Sequence, residues 1–189
     1  MSVFVNTFFE ERLEQLFDLA QRIEQAFTSA GIEYRVVGGL AAYLYVEEVE
    51  PDAGRLTKDI DIAVLRADLP KIAKAVEAFG LEWRHAEGVD MLVQSGQPSA
   101  RRAVHLIFAG EKVRQEYDEP APDIGPARTL RGMPLIPLAD LVRMKLTNFR
   151  TRDETHLKDM DEAGLITSGI EANLSPLLQE RLAKVRSRD

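Results

Sequence analysis

The chain has 189 residues, of which 45% are hydrophobic and 29% are charged, and its formal net charge is −7. This composition is typical of a soluble globular protein and argues against a general duplex-binding protein, whose surface would be basic. The absence of cysteine excludes disulfides and thiolate metal sites. No apolar run reaches the roughly 18 residues of a membrane span, and the N-terminus lacks a signal-peptide pattern. We therefore expect a cytoplasmic protein with no membrane partner.

The charge is distributed unevenly along the chain. The first hundred residues are strongly acidic, whereas residues 101–158 carry a net positive charge. A basic stretch of this kind favours a local surface for phosphate or RNA, but a solvated face of mixed charge explains it equally well.

The first half of the chain alternates between helical and extended patterns. Apolar residues at spacings of three and four predict an amphipathic helix over residues 8–30, ended by Gly31. Its apolar stripe consists of Phe9, Leu13, Leu16, Ala20, Ile23 and Phe27. The next predicted elements are a strand over 34–39, a helix over 40–48, a loop over 49–58, a strand over 59–65 and a helix over 67–80.

The second half changes from strands to helices. Three strands are predicted over 81–86, 89–94 and 103–110, and three helices over 137–150, 153–164 and 174–188. The segment between them, residues 111–132, contains three prolines and is predicted to be mostly loop. This order predicts an α+β fold with a mixed β-sheet flanked by helices. We place a core with its N-terminal helix at residues 1–136 and a C-terminal helical region at residues 137–189.

Two carboxylates interrupt the apolar strand "DIDIAV". Asp59 and Asp61 share one face of the strand because side chains alternate, and Ile60 and Ile62 share the other. Two neighbouring carboxylates repel each other and favour a shared cation, and Mg²⁺ takes carboxylate oxygens together with substrate phosphates. The alternative is that both aspartates lie at the exposed start of the strand and form caps or surface ion pairs.

A pair of glycines precedes these aspartates by about twenty residues. Gly38 and Gly39, in "VVGGLAAY", lie between a strand and a helix, where glycine allows close backbone approach and the helix N-terminus attracts anions. A plain tight turn is the alternative. Together, an anion site and two carboxylates form one coherent site for a nucleoside triphosphate with Mg²⁺.

These residues resemble a known family. "GGLAAY" followed by "RLTKDID" resembles the nucleotidyltransferase fold of the polymerase-β superfamily and is similar, more narrowly, to its AbiEii-like branch, which includes toxins of bacterial toxin–antitoxin pairs. The resemblance is close over residues 32–65 and looser through "LADLVRMKL" and "HLKDMDEAGLI". It implies that Gly38 and Gly39 hold the triphosphate and that Asp59 and Asp61 bind one or two Mg²⁺ ions.

The same resemblance bears on two residues just before the aspartates. Arg55 and Thr57 would contact phosphate, although both are equally suited to anchoring the loop.

A lysine interrupts the apolar stripe of the helix over 137–150. The stripe consists of Leu138, Leu141, Lys145 and Phe149. Lys145 either extends along the surface or reaches inward to phosphate, and the resemblance favours the inward position. The family branch also carries a later aspartate after a basic residue, which Asp159 matches here. The resemblance implies that Asp159 orients Lys145 or binds the base end of the nucleotide.

One expected carboxylate is replaced. The superfamily usually has a third carboxylate on a later strand, and His105 stands at that position. A histidine there can act as a base or bind metal, or it can be an ordinary half-buried strand residue. Asp90, one strand earlier, is the other candidate. His85 and His156 form no zinc-binding pattern with His105.

The sequence therefore predicts Mg²⁺-dependent transfer of a nucleoside monophosphate from a nucleoside triphosphate to an acceptor hydroxyl on a tRNA, a protein or a small molecule. Two alternatives stay open. One is a nucleotide-binding member with weak or absent transfer, and the other is the toxin of a toxin–antitoxin pair whose antitoxin partner covers the cleft.

Overall fold

A computed structural model describes residues 2–51, 53–55, 57–96 and 103–187, except for the side chains of residues 2–10 and 12. Within these residues one mixed sheet has seven strands. They are β1 Tyr34–Val37, β2 Ile60–Val64, β3 Leu81–Ala86, β4 Val89–Gln94, β5 Val104–Phe108, β6 Arg128–Leu130 and β7 Met133–Leu135. The helices are α1 Ser2–Ala30, α2 Gly38–Val49, α3 Leu69–Glu77, α4 Leu138–Asn148, α5 Thr151–Glu162, α6 Ser168–Ala172 and α7 Pro176–Arg186, with a 3₁₀ turn at Arg66–Asp68. The predicted α+β class with a mixed sheet is confirmed.

The order of the strands determines which strand ends meet. Across the sheet they run β3-β4-β5-β2-β1-β7-β6, with β2 antiparallel to β1 and parallel to β5. The end of β1 and the beginnings of β2 and β5 therefore lie at one end of the sheet. The helix α2 begins at that same end, directly after β1.

The helix α2 is the central helix of the fold. Its residues Gly39 to Val46 are all buried, and it packs against β1, β2, α4 and α5. A helix that is apolar on all sides is typical of a buried element. One apolar core extends from Leu16 in α1 to Val185 in α7. The division at residue 136 stays a prediction.

Several element boundaries differ from those predicted. The helix α2 begins at Gly38, so both glycines belong to its first turn, and α1 begins at Ser2 instead of residue 8. Phe9, predicted in the apolar stripe of α1, lies outside the described side chains. The short β6–β7 hairpin and α6 were not predicted, because elements of three to five residues are too short to show a periodic pattern.

A membrane crossing needs a long apolar helix, and the helices of the described residues include none that qualifies.

Candidate active site

Asp61 and His105 face each other on neighbouring strands. Asp61, the second residue of β2, is paired with His105, the second residue of β5. Residues that are paired across a sheet project their side chains from the same face. Here the Nδ1 of His105 lies 3.1 Å from Oδ1 of Asp61, and because a carboxylate accepts, the imidazole donates. The two side chains are 30% and 27% exposed, so the contact is accessible to a ligand.

The carboxylate of Asp61 also lies against Gly38. A Cβ atom placed on Gly38 would be 2.0 Å from Oδ2 of Asp61, and the φ angle of Gly38 is +67°. Both the backbone conformation and the close approach therefore require glycine. Val37, at the N-cap of α2, has no side-chain acceptor for the first N–H groups of the helix. The carboxylate of Asp61 therefore lies beside the N-terminus of α2, which has no side-chain cap from Val37 and carries partial positive charge.

Gly39 has neighbours from two other elements. A Cβ atom on Gly39 would lie 2.6 Å from Oγ1 of Thr57 and 3.4 Å from Cε1 of His156. Thr57 is buried, and its hydroxyl donates to the carbonyl of Asp59 at 3.3 Å. Thr57 therefore packs behind the glycine turn and supports the half-exposed Asp59 immediately before β2. We call Asp59, Asp61 and His105 the sheet half of the site.

Lys145 lies in the interior, on α4. Its residue is 2% exposed, and its Nζ lies 2.8 Å from Nδ1 of His156 and 3.5 Å from Oδ1 of Asp153. This burial is incompatible with a lysine that extends along the surface. Asp153 and His156 are three residues apart on α5 and so project from the same side of that helix. We call Lys145, Asp153 and His156 the helical half of the site.

The two histidines have opposite electrostatic surroundings. The hydrogen bond to Asp61 raises the pKa of His105 above its usual value. Burial, and then the charge of Lys145, lower the pKa of His156 to about 4. Burial also lowers the pKa of Lys145, and the carboxylate of Asp153 opposes that effect. His156 is therefore uncharged at neutral pH.

Asp159 pairs with Arg55. The Nε of Arg55 contacts both carboxylate oxygens of Asp159, at 2.8 and 3.0 Å. Arg55 thus ties the loop before β2 to α5, as the loop-anchor alternative requires. The predicted contact of Asp159 with Lys145 is replaced, because Asp153 and His156 are the groups at Nζ of Lys145. A role for Asp159 at the base end of the nucleotide stays a prediction.

Asp90 lies on the other face of the sheet. It is paired with Leu106, whereas His105 is paired with Met91, so Asp90 and His105 project in opposite directions. The buried carboxylate of Asp90 accepts from Nε1 of Trp83 at 3.0 Å and lies 3.1 Å from Nδ1 of His85. The pairing of β4 with β5 places Asp90 opposite Leu106, one residue away from the position opposite His105. Asp90 therefore lies on the wrong face of the sheet to supply the third carboxylate, and that alternative is wrong.

The ligand atoms that the site residues offer determine which metal ion they could bind. In the described part of the chain, no three His, Asp or Glu side chains gather into a ligand set. Asp59 and Asp61 offer carboxylate oxygens, and two carboxylates completed by substrate phosphates suit Mg²⁺. A zinc site would need three or four protein ligands. The residues therefore fit magnesium bound together with a nucleotide.

Asp153 and His156 lie at the site but are not among the residues that the sequence predicts there. Their spacing is the signal that could have indicated them. Asp153, His156 and Asp159 follow one another at intervals of three residues, which places all three polar side chains on one side of α5.

Comparisons with known proteins bear on the fold. No protein-family model and no curated protein sequence matches this chain. An antigenic nucleotidyltransferase-like protein from Paracoccidioides brasiliensis is similar in structure, with a TM-score of 0.61 and 19% identity over 93% of this chain and 89% of that one. The antibiotic-resistance factor ANT(2'')-Ia is similar with a TM-score of 0.56 and 12% identity over 94% of both chains.

A structure of ANT(2'')-Ia in complex with adenylyl-2''-tobramycin is also similar, with a TM-score of 0.52 and 13% identity over 93% of this chain and 98% of that one. At these identities the likeness concerns the fold. The chain has the nucleotidyltransferase fold, as its sequence predicted, and its place in the AbiEii-like branch stays a prediction.

Proposed function

We propose that this protein transfers a nucleoside monophosphate from a nucleoside triphosphate to an acceptor hydroxyl, with Mg²⁺ held by Asp59 and Asp61. The observation that carries the proposal is the position of Asp61, whose carboxylate lies against Gly38 at the N-terminus of α2. This contact brings one carboxylate of a type that suits Mg²⁺ to a backbone turn suited to phosphate. The nucleotidyltransferase fold supports the assignment.

The two halves of the site have complementary roles in this proposal. Gly38 and Gly39 bind the triphosphate through their backbone, and Lys145 supplies positive charge from the interior. Magnesium, when bound, neutralises phosphate charge and aligns the triphosphate for attack. Thr57 and Arg55 hold the loop that presents the aspartates, and their contact with phosphate stays a prediction.

His105 is the candidate for handling the acceptor proton. Its Nδ1–H is donated to Asp61, which leaves Nε2 as the ring atom that can accept a proton. The acceptor oxygen attacks the α-phosphorus, the bond to pyrophosphate breaks, and the hydroxyl proton passes to His105.

The test is transfer of label from the four α-³²P nucleoside triphosphates in the presence of Mg²⁺. Total tRNA, cell-extract protein and small hydroxyl compounds serve as acceptors, the last including an aminoglycoside because ANT(2'')-Ia was solved with adenylyl-2''-tobramycin. We expect Asp59→Ala/Asp61→Ala to abolish transfer, while Asp123→Ala, an exposed aspartate in the loop before β6, has no effect.

The replacement of the third carboxylate by His105 favours one alternative, a protein that binds nucleotide without transferring it. Nucleotide binding that requires Mg²⁺ and both aspartates, without labelled product, would support that alternative. A chain that neither binds nor transfers would contradict both.

The toxin hypothesis rests on the sequence resemblance alone. Growth arrest on expression that is lost in Asp59→Ala/Asp61→Ala, and relieved by a co-expressed antitoxin partner, would support it. Unaltered growth would count against it.

A further inference from the structure

The hydrogen bond between Lys145 and His156 defines the state of the imidazole. The carboxylate of Asp153, 3.5 Å from Nζ, favours the charged form of Lys145. An ammonium only donates, so its separation of 2.8 Å from Nδ1 of His156 requires Nδ1 to be unprotonated. The neutral ring then carries its hydrogen on Nε2.

The same edge of the His156 ring reaches the phosphate-binding turn. Its Cε1, which is bonded to Nδ1, lies 3.4 Å from the position of a Cβ atom on Gly39. One imidazole therefore contacts the buried ammonium of Lys145 and faces the first turn of α2, in the space that a side chain on Gly39 would enter. Because the ring is buried by α2, α4 and α5, it has little freedom to move.

Charged groups from three elements surround His156. Lys145 lies on α4, Asp153 and Arg152 lie on α5, and Arg55 lies in the loop before β2. The three cations outnumber the one carboxylate and, with burial, keep the pKa of the imidazole at about 4. The acceptor on Nδ1 is therefore available throughout the physiological range of pH.

We propose that His156 is a positioning residue that holds the ammonium of Lys145 beside the Gly38–Gly39 turn by accepting its hydrogen bond. The role in nucleotide binding rests on the function proposed above, since the turn is the site assigned to the triphosphate. The carboxylate of Asp153 balances the positive charge of Lys145, and the hydrogen bond to His156 fixes the position of its ammonium group. Affinity for the triphosphate then depends on an acceptor at the position of Nδ1.

Two substitutions separate this role from simple packing. His156→Asn keeps an acceptor close to the position of Nδ1, whereas His156→Leu fills similar space without one. We expect His156→Leu to raise the KM for nucleoside triphosphate about ten- to hundredfold with a smaller change in kcat, since it removes a hydrogen bond to a charged group. His156→Asn should restore most of the affinity. Equal effects of the two variants, or no effect of His156→Leu, would overturn the proposal.

An NMR measurement tests the contact in the wild-type protein, without any nucleotide. Long-range ¹H–¹⁵N spectra should show His156 as the Nε2–H tautomer at pH 7, and Lys145→Met should change its Nδ1 shift. Asp59→Ala/Asp61→Ala should leave the tautomer unchanged. An Nδ1–H tautomer would refute the inference even if transfer is active. If the wild type binds no nucleotide, the proposed function fails, and the tautomer alone decides whether His156 holds Lys145.

Discussion

His105 in the sheet half and His156 in the helical half are both in contact with a charged group, yet their pKa values move in opposite directions. His105 is 30% exposed and donates to a carboxylate, which favours its protonated form. His156 is buried and accepts from an ammonium, which favours its neutral form. The sign of the partner and the depth of burial, more than the residue type, determine what each imidazole can do.

The same contrast applies to the two halves as a whole. The sheet half presents negative charge where ligand can reach it, whereas the helical half keeps a positive charge in the interior. They meet at two neighbouring glycines, where a Cβ atom on Gly38 would clash with Asp61 and a Cβ atom on Gly39 would reach His156. The proposed ligand, a magnesium-bound triphosphate, carries charges of both signs and would contact both halves.

Removing the buried positive charge should have the largest effect. Lys145→Met leaves His156 without its donor and Asp153 with the partly exposed Arg150 as its ion-pair partner, and losing one partner of a buried ion pair costs up to about 3–5 kcal/mol of the free energy of unfolding. Urea denaturation measures this change. Lys184→Met, which breaks an exposed pair with Glu180 on α7, is the control and should change little. Similar losses in both variants would mean that the interior position of Lys145 has no energetic consequence.

Acid should weaken the helical half selectively. The pKa of His156 is about 4 in the folded protein and about 6.5 in the unfolded chain. Between these values the unfolded chain binds more protons, so the free energy of unfolding should rise by about 3 kcal/mol as pH increases from 4 to 6.5. Denaturation of the wild type and His156→Asn across this range isolates the contribution, which the variant should lack. Parallel pH profiles would contradict it.

A methyl group at the glycine turn should damage the sheet half. Gly38→Ala forces Asp61 to move, and a displacement of about 1 Å at a reacting centre can cost a hundredfold in rate. Gly88→Ala is the matched control, because Gly88 also has a positive φ angle but its added Cβ atom would meet nothing within 4 Å. Both variants should lose about 1–2 kcal/mol of stability from backbone strain. If both retain transfer, the contact with Asp61 has no role.

The smallest effect is expected where the loop joins α5. Arg55 is 64% exposed, so breaking its pair with Asp159 should cost less than about 1 kcal/mol. In a double-mutant cycle, Arg55→Ala and Asp159→Ala should each cause the same small loss and show coupling. A fall in nucleotide affinity for Arg55→Ala alone would instead indicate a phosphate contact, contrary to the anchoring role.

Those parts of the site that depend on local pattern could be predicted from the sequence. Alternation along a strand places Asp59 and Asp61 together, and adjacent glycines mark the start of α2. The α+β class likewise follows from the order of the elements. Each of these predictions depends only on patterns within single elements or on the order of the elements along the chain.

The rest depends on how separate elements align. Whether Asp90 shares a face with His105 is decided by the register of β4 on β5, which the sequence of either strand does not reveal. The contact of Lys145 with Asp153 and His156 depends on how α4 packs on α5. The buried side of α5 includes the apolar Leu157 and Met160, but Asp153 and His156 on that side are polar, so a hydrophobic pattern does not mark them as buried.

The contacts of the site also differ in the sequence separation between the two residues that form them. Lys145 and His156 are 11 positions apart, Asp61 and His105 are 44 apart, and Arg55 and Asp159 are 104 apart. Since the entropy lost on closing a loop grows with its length, the α4–α5 hairpin can form as a local unit, whereas the aspartate strand requires long-range pairing. During synthesis Arg55 leaves the ribosome first, and its partner Asp159 on α5 follows 104 residues later. The proposed nucleotide site is therefore incomplete until translation has passed Asp159.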